Sequence, residues 1–226
     1  MKVLVVDTAL GLCTAGVFEV EGDETRALGL RSETMAKGHS ERLAGFARDA
    51  MAQAGLAFGA IDRIGVTVGP GSFTGLRVGL AFAQGLGAAL GRPVVGLSSL
   101  DALAASAPSG PAAALIDARR GQVYARFWRD GVPRGPAEAL SLEAAAERIA
   151  AMEAGAVLIG SGAGLFAGAF PVLTQRPLAG AAPEALALLT AAADPASAPP
   201  RPLYLRAPDA TPPSRLPGQA RPARPS

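Results

Sequence analysis

The segment Gly69-Pro-Gly-Ser-Phe-Thr-Gly-Leu-Arg77 carries the strongest chemical signal in this chain. It leaves the apolar run Ile64 to Val68 and enters a glycine-studded helix, so it reads as strand, tight turn and helix. Such a turn aims backbone N–H groups, with the Ser72 and Thr74 hydroxyls, at one point beside a helix N-terminus, where the dipole favours an anion. Phosphate binding is the chemistry this suggests. The spacing departs from both standard phosphate loops, however. Gly69, Gly71 and Gly75 give G-x-G-x-x-x-G rather than G-x-G-x-x-G, and no lysine follows Gly75 as a Walker loop requires. A plain strand-to-helix turn with Ser72 or Thr74 as N-cap explains the same residues, and both readings stay open on sequence.

Other chemistry-bearing residues are sparse. With one cysteine, Cys13, and one histidine, His39, an internal disulfide is impossible. Nor can the usual histidine and cysteine ligands of zinc be assembled within one chain. Cys13 lies in a strand-like stretch and reads as a small core residue; His39 reads as a residue at the start of a helix. A phosphoryl-transfer site would need a base from Asp7, Asp101 or Asp117 and cationic clamps from Arg77 or Arg119. No motif singles any of these out.

The elements that must position these groups follow from periodicity. Val3 to Val6 is a short strand ending at Asp7-Thr8, and 13–20 and 25–31 read as strands joined by Glu21-Gly-Asp-Glu24. A helix follows, with Ser40 as N-cap, His39 just outside, and Leu43, Phe46, Ala47, Ala50, Met51 and Ala54 at helical spacing before Gly55. Then come a strand at 63–68, a helix at 74–90, a strand at 93–97 and a helix near 100–105, the alternation of a mainly parallel sheet. Ala107-Pro-Ser-Gly-Pro111 reads as a joint. Beyond it the sequence predicts a hairpin of 113–117 with 122–128, a helix at 142–152 behind Ser141, a strand at 156–159 running into Gly160-Ser-Gly-Ala-Gly164, a helix near 183–192 and an extended piece at 203–206. The expected domains are therefore an N-terminal lobe at 1–108, a C-terminal lobe at 109–206 and an arginine- and proline-rich tail at 207–226, expected to be disordered.

The predicted helix at 74–90 is apolar nearly all round, which a helix with one wet face is not. Its internal glycines Gly79, Gly85 and Gly87 cost about 1 kcal/mol each relative to alanine. Close packing on two sides is the expected compensation, one side being the sheet and the other a second lobe or another protein. Half the 226 residues are hydrophobic, enough for a good core, and the formal charge is only +2. Arg215, Arg221 and Arg224 of the tail outweigh Asp209, which leaves the rest of the chain balanced. No obvious cationic face for nucleic acid follows. No uninterrupted apolar run approaches the roughly 20 residues of a membrane span, and Met1 to Asp7 is too short for a signal peptide core. The expected location is cytoplasmic, with no membrane partner.

Several segments in order resemble the TsaB (YeaZ) family of tRNA threonylcarbamoyladenosine biosynthesis: Leu4-Val-Val-Asp7-Thr8, His39-Ser-Glu-Arg-Leu43, Gly69 to Arg77, Pro93-Val-Val-Gly-Leu-Ser-Ser-Leu100, Asp117-Ala-Arg-Arg-Gly-Gln-Val-Tyr124 and Pro202-Leu-Tyr-Leu-Arg206. The resemblance covers about 1–206. It implies an α/β fold of two lobes, of the actin, sugar-kinase and Hsp70 (ASKHA) kind, with mixed sheets flanked by helices. It implies a non-catalytic subunit that pairs with a TsaD-like catalytic subunit and a TsaE-like ATPase, reaches tRNA through that complex, leaves ATP and Mg²⁺ to the complex, and pairs with itself when alone. The one histidine cannot supply the histidine pair by which the catalytic relative holds a metal, so no metal and no catalytic residue is expected here. Asp7, with Thr8, stands where actin-fold ATPases keep a Mg²⁺-linked aspartate. A vestigial nucleotide or anion site of Asp7, Thr8, Gly69, Gly71, Ser72 and Thr74 is therefore expected at most, with Gly160 to Gly164 as a weak second loop.

The expected partner surface is made by the two long helices, with contacts at Leu43, Phe46, Ala47, Ala50, Met51, Val78, Phe82, Leu86 and Ala89. The alternative is a small-molecule kinase or ATPase of the same fold; a metallopeptidase is disfavoured by the solitary histidine. Arg119 and Arg120 beside their turn, and the tail arginines, are weak candidates for tRNA phosphate.

Overall fold

The computed structural model describes residues 1–35 and 38–206. The expected disordered tail at 207–226 and Lys37 lie outside the described residues.

Val3 to Val6 form a continuous apolar run because both faces of their strand are covered, the signature of a sheet sandwiched between helices. That strand, β1 (Lys2–Asp7), lies at the centre of a five-stranded sheet with β2 (Leu12–Glu21), β3 (Glu24–Thr34), β4 (Arg63–Gly69) and β5 (Val94–Ser98), in the order β3-β2-β1-β4-β5. β2 runs antiparallel to β1 and β3, while β4 is parallel to β1 and β5. The predicted opening meander and parallel continuation are both present.

On one face, Leu4 and Val6 of β1 with Cys13, Ala15 and Val17 of β2 pack under α1 (His39–Ala54) and α2 (Phe73–Leu90). On the other, Val3, Val5 and Phe18 pack under α5 (Pro183–Ala192), with Leu186 and Ala187 fully buried, and beside Ala102 of α3 (Ser99–Ala105). The Arg63 guanidinium fastens α5 by donating to the carbonyls of Thr190, Ala191 and Ala193 at 3.0, 2.9 and 2.6 Å. A cation at a helix C-terminus is also favoured by the dipole.

The placement of α5 corrects the expected domain boundary. The sequence places 183–206 in the second lobe; instead the chain returns to the first sheet, where α5 covers the face that α1 and α2 leave bare. Gly96 N–H then donates to the Ala198 carbonyl at 2.9 Å and Leu203 N–H to the Val68 carbonyl at 2.7 Å.

The second sheet has six strands on the path β11-β10-β6-β7-β8 with β9 beside β7: β6 (Ala112–Arg119), β7 (Gln122–Arg129), β8 (Val132–Pro133), β9 (Glu138–Ser141), β10 (Val157–Ile159) and β11 (Thr174–Arg176). The predicted hairpin is β6–β7, and α4 (Leu142–Ala150) packs Ala145 and Ile149 onto it behind the Ser141 cap. The joint is made by α3, whose Leu100 and Leu103 bury against Ala114, Ile116, Trp128 and Ile159 of the second sheet. The whole is a two-lobed α/β fold of mixed sheets flanked by helices.

Candidate functional site

The glycine loop holds an oxygen, but one supplied by the chain itself. Ser72 N–H donates to the carbonyl of Ala9 at 2.7 Å, and a Cβ on Gly71 would meet that oxygen at 2.3 Å. One turn on, the Thr8 hydroxyl donates to the Gly75 carbonyl at 2.7 Å, and a Cβ on Gly75 would lie 2.0 Å from the Thr8 carbonyl oxygen. The glycines are therefore the clearance the β1–β2 turn needs to lie against the start of α2. Ser72, not Thr74, is the N-cap, its hydroxyl accepting from Gly75 N–H at 3.2 Å. The second turn repeats the arrangement: Gly162 N–H donates to the Leu115 carbonyl at 2.9 Å, and a Cβ on Gly160 would meet that oxygen at 2.4 Å. Both loops are filled from within.

Asp7 is likewise turned inward. It is 2 % exposed, and its Oδ1 accepts from Ala9 N–H at 2.9 Å and from the Thr67 hydroxyl at 2.7 Å. Burial pushes its carboxyl above the ordinary carboxylate range, partly opposed by those two bonds and by His39 nearby. These findings correct the expected anion cradle: Asp7 is held by Ala9 and Thr67, Thr8 by Gly75, and Gly71 and Ser72 lie against the Ala9 carbonyl, while Gly69 faces Leu76 and Leu203 and Thr74 is exposed at the first turn of α2. Sequence reasoning missed Thr67, a polar residue inside the buried run of β4, and the Ala9 carbonyl.

A testable consequence follows for Asp7. A carboxyl whose folded pKa is raised binds its proton more tightly folded than unfolded, so it costs stability as pH climbs from the unfolded value of about 3.9 through the folded one, and that cost persists above it. Asp7→Asn keeps the Oδ1 acceptor without a buried charge. We expect the variant to fold, to equal or exceed the parent in thermal stability at pH 7, and to lose that advantage as pH falls toward 4; denaturation followed across pH checks this. Cys13 is also fully buried, and burial, with Asp7 and Glu33 nearby, pushes its thiol up to about 11. That is an inert core thiol, as its sequence context suggests.

Between the lobes lies a cleft of about 960 Å³. Ala9 to Gly11, His39 and Pro70 to Phe73 face Ile116 to Arg119, Tyr124 and Ser161 across it, with Leu203 to Arg206 along one side. Phe73 and Tyr204 lie against each other with ring centres 5.5 Å apart and planes tilted by 37°, and the Arg77 guanidinium covers the Phe73 ring at 3.8 Å. Arg119 and Arg120 sit at the β6–β7 turn with φ of 64° and 54°, Arg119 paired with Asp117 at 3.7 Å.

The two long helices divide the expected partner residues. Leu43, Phe46, Ala47, Ala50 and Met51 are between 0 % and 5 % exposed, all facing the first sheet. This corrects their assignment as partner contacts. α1 spends its whole apolar stripe on the first sheet, chiefly β2 and β3, and its outer face carries Glu41, Arg42, Arg48 and Gln53. The helix is also preceded by Gly38 rather than capped by Ser40, with His39 as its first residue. α2 differs. Gly75, Leu76, Gly79, Leu80, Ala83 and Gly87 are buried, Val78, Phe82 and Leu86 are half-buried at the edge of the core, and Ala81, Gly85, Ala88 and Ala89 are exposed. By length and composition alone α2 would suffice to cross a membrane, but its inner face rests on the sheet.

Comparison with known proteins fits this geometry. YeaZ from Pseudomonas aeruginosa superposes with a TM-score of 0.70 over 90 % of this chain and 99 % of its own, at 29 % identity. TsaB of Escherichia coli, described as a tRNA threonylcarbamoyladenosine biosynthesis protein, is 33 % identical over 135 residues. The chain belongs to the TsaB (YeaZ) family. An uncharacterized Mycobacterium tuberculosis protein is 38 % identical over 93 % of this chain and 94 % of its own length. The family model for TsaD, tRNA N6-adenosine threonylcarbamoyltransferase, matches residues 22–132, which include both long helices. The match to E. coli TsaB spans 58 % of this chain and little more than half, 56 %, of that protein.

Proposed function

We propose that this chain acts in tRNA threonylcarbamoyladenosine formation as a non-catalytic partner subunit. In this reading a TsaD-like subunit moves threonylcarbamoyl from its adenylate to N6 of adenosine 37 in tRNAs reading codons that begin with A, in the cytoplasm. A TsaE-like ATPase completes the assembly and uses the ATP and Mg²⁺. The observation that carries the proposal is the outer face of α2, where Val78, Phe82 and Leu86 are half-covered and flanked by exposed Ala81, Gly85, Ala88 and Ala89. Small side chains let a second helix approach to the 8–10 Å of close helix packing. A stable interface needs roughly 1,000 Å² in all, so the partner must also touch neighbouring surface. Two helices of a related chain fit that requirement, and the match of the TsaD family model across this region is why a TsaD-like subunit is the partner we favour. Self-pairing through the same face is the corresponding state of the chain alone.

A kinase or ATPase is the second reading, and the cleft is the feature that favours it. Against it stand the two glycine turns filled by the Ala9 and Leu115 carbonyls and the inward Asp7. Removing the chain from its cell should abolish the threonylcarbamoyl modification at adenosine 37, measured by mass spectrometry of tRNA nucleosides, and re-supplying it should restore it. Unchanged modification overturns the proposal. ATP turnover by the pure chain, lost in Asp7→Asn, would put the kinase reading in its place.

A further inference from the structure

The glycine turns are closed from within, but the start of α1 is not. Among the described residues α1 begins after Gly38, at φ 88°, with no side-chain cap, and the bonds at this end are those of Glu41 and Arg42 N–H to the Gly38 carbonyl at 3.1 and 3.3 Å. Its first residue, His39, is 9 % exposed and borders the interlobe cleft, and its buried Nε2 has no hydrogen-bond partner among the described residues. Buried polar atoms are seldom left so. A sixteen-residue helix end and an unsatisfied imidazole thus meet at one wall of a cavity of about 960 Å³, a size at the upper end of small-molecule sites.

The surrounding charges are mixed. Asp7 lies near enough to feel His39, but its burial favours the neutral acid. Glu41 in the first turn and Glu33, bridged to Arg42 at 2.9 Å, oppose an anion. Arg119 and Arg206 on the cleft wall favour one, with Asp117 beside Arg119. Phe73 and Tyr204, 43 % and 42 % exposed, offer flat apolar surface at the same cleft.

We propose that the cleft binds a small molecule bearing an oxyanion, a carboxylate or a phosphate, seated on the His39 Nε2–H and the first peptide N–H groups of α1. The body of the molecule lies against Phe73 and Tyr204. This site is separate from the outer face of α2 and stands whether or not that face docks a partner. It also places the anion at α1 rather than at the glycine loop.

Because His39 is the only histidine of the chain, its ring signals in an NMR spectrum need no assignment. The full chain is titrated with inorganic phosphate, adenosine monophosphate and acetate, with chloride at matched ionic strength as the reference. We expect a saturable shift of the His39 ring signals beyond the chloride reference. By calorimetry, affinity should fall at least tenfold in His39→Ala and less in His39→Gln, which keeps a donor. A response to phosphate and the nucleotide alone identifies a phosphate ligand, and a response to acetate alone a carboxylate. Absence of any shift beyond chloride overturns the site, as does equal affinity in a folded His39→Ala. If that variant does not fold, the titration of the parent chain decides.

Discussion

Ala89→Glu is expected to leave the protein folded and to separate it from the TsaD-like subunit proposed above as its partner. Ala89 is exposed near the C-terminal end of α2, so the substitution costs the monomer a few tenths of a kcal/mol in helix propensity and up to about 1 kcal/mol for a carboxylate against the helix dipole. In a packed interface the same carboxylate must lose its water without a counter-charge, a penalty of several kcal/mol for an unpaired ion. At about 1.4 kcal/mol per tenfold in affinity, association should weaken at least a hundredfold, and co-purification of the TsaD-like subunit should disappear along with tRNA modification. Phe82→Glu should act in the same direction with some loss of thermal stability, since Phe82 is half-buried at the edge of the first core. Phe46→Glu is the contrasting case: at 5 % exposure it carries a charge into the core and should fail to fold. Wild-type co-purification with a folded Ala89→Glu chain would mean that α2 does not make the interface.

That contrast marks the limit of what a periodic pattern states. The apolar stripe of α1 was legible from Leu43 to Met51, but spacing specifies a face and not what covers it. Covering β2 and β3 used all of it. The long strands and helices were legible because two-residue and helical periods persist over enough residues. β8, β9 and β11 were not, since two to four residues carry no period. α5 was found as a helix but put in the wrong lobe, because a helix apolar on all sides does not say which sheet it serves. At the site, the loop glycines and the Ser72 cap were readable from residue types. Their actual occupant was not, because a main-chain carbonyl such as that of Ala9 has no side-chain signature. The clue was negative: the spacing matched neither phosphate loop.

The glycines of α2 give the sharpest test of that account, since sequence alone assigns the three inside the helix one common cost and one common cause. The structure separates them. A Cβ on Gly79 would meet the Thr8 hydroxyl oxygen at 2.5 Å and one on Gly87 a Val94 methyl at 2.3 Å, whereas Gly85 has nothing within 4 Å. Gly75, at the first turn, is the most constrained, 2.0 Å from a main-chain oxygen that cannot rotate away. Gly75→Ala must therefore push the β1–β2 turn off α2, straining the Thr8 hydroxyl bond and the Asp7 bonds behind it. Overpacking of this kind costs about 1–3 kcal/mol, occasionally more, and a rigid main-chain oxygen puts this case at the upper end, against a helix-propensity gain of about 1 kcal/mol. Gly85→Ala meets no obstacle and should stabilise the isolated chain by up to about 1 kcal/mol. Denaturant unfolding of the two variants beside the parent measures both signs at once. If Gly75→Ala proves neutral, the glycine loop is not held by the Thr8 and Ala9 carbonyls, and an external anion returns as its natural occupant. If Gly85→Ala stabilises the chain yet weakens its hold on the TsaD-like subunit, the missing methyl at that position serves the close approach of a second helix.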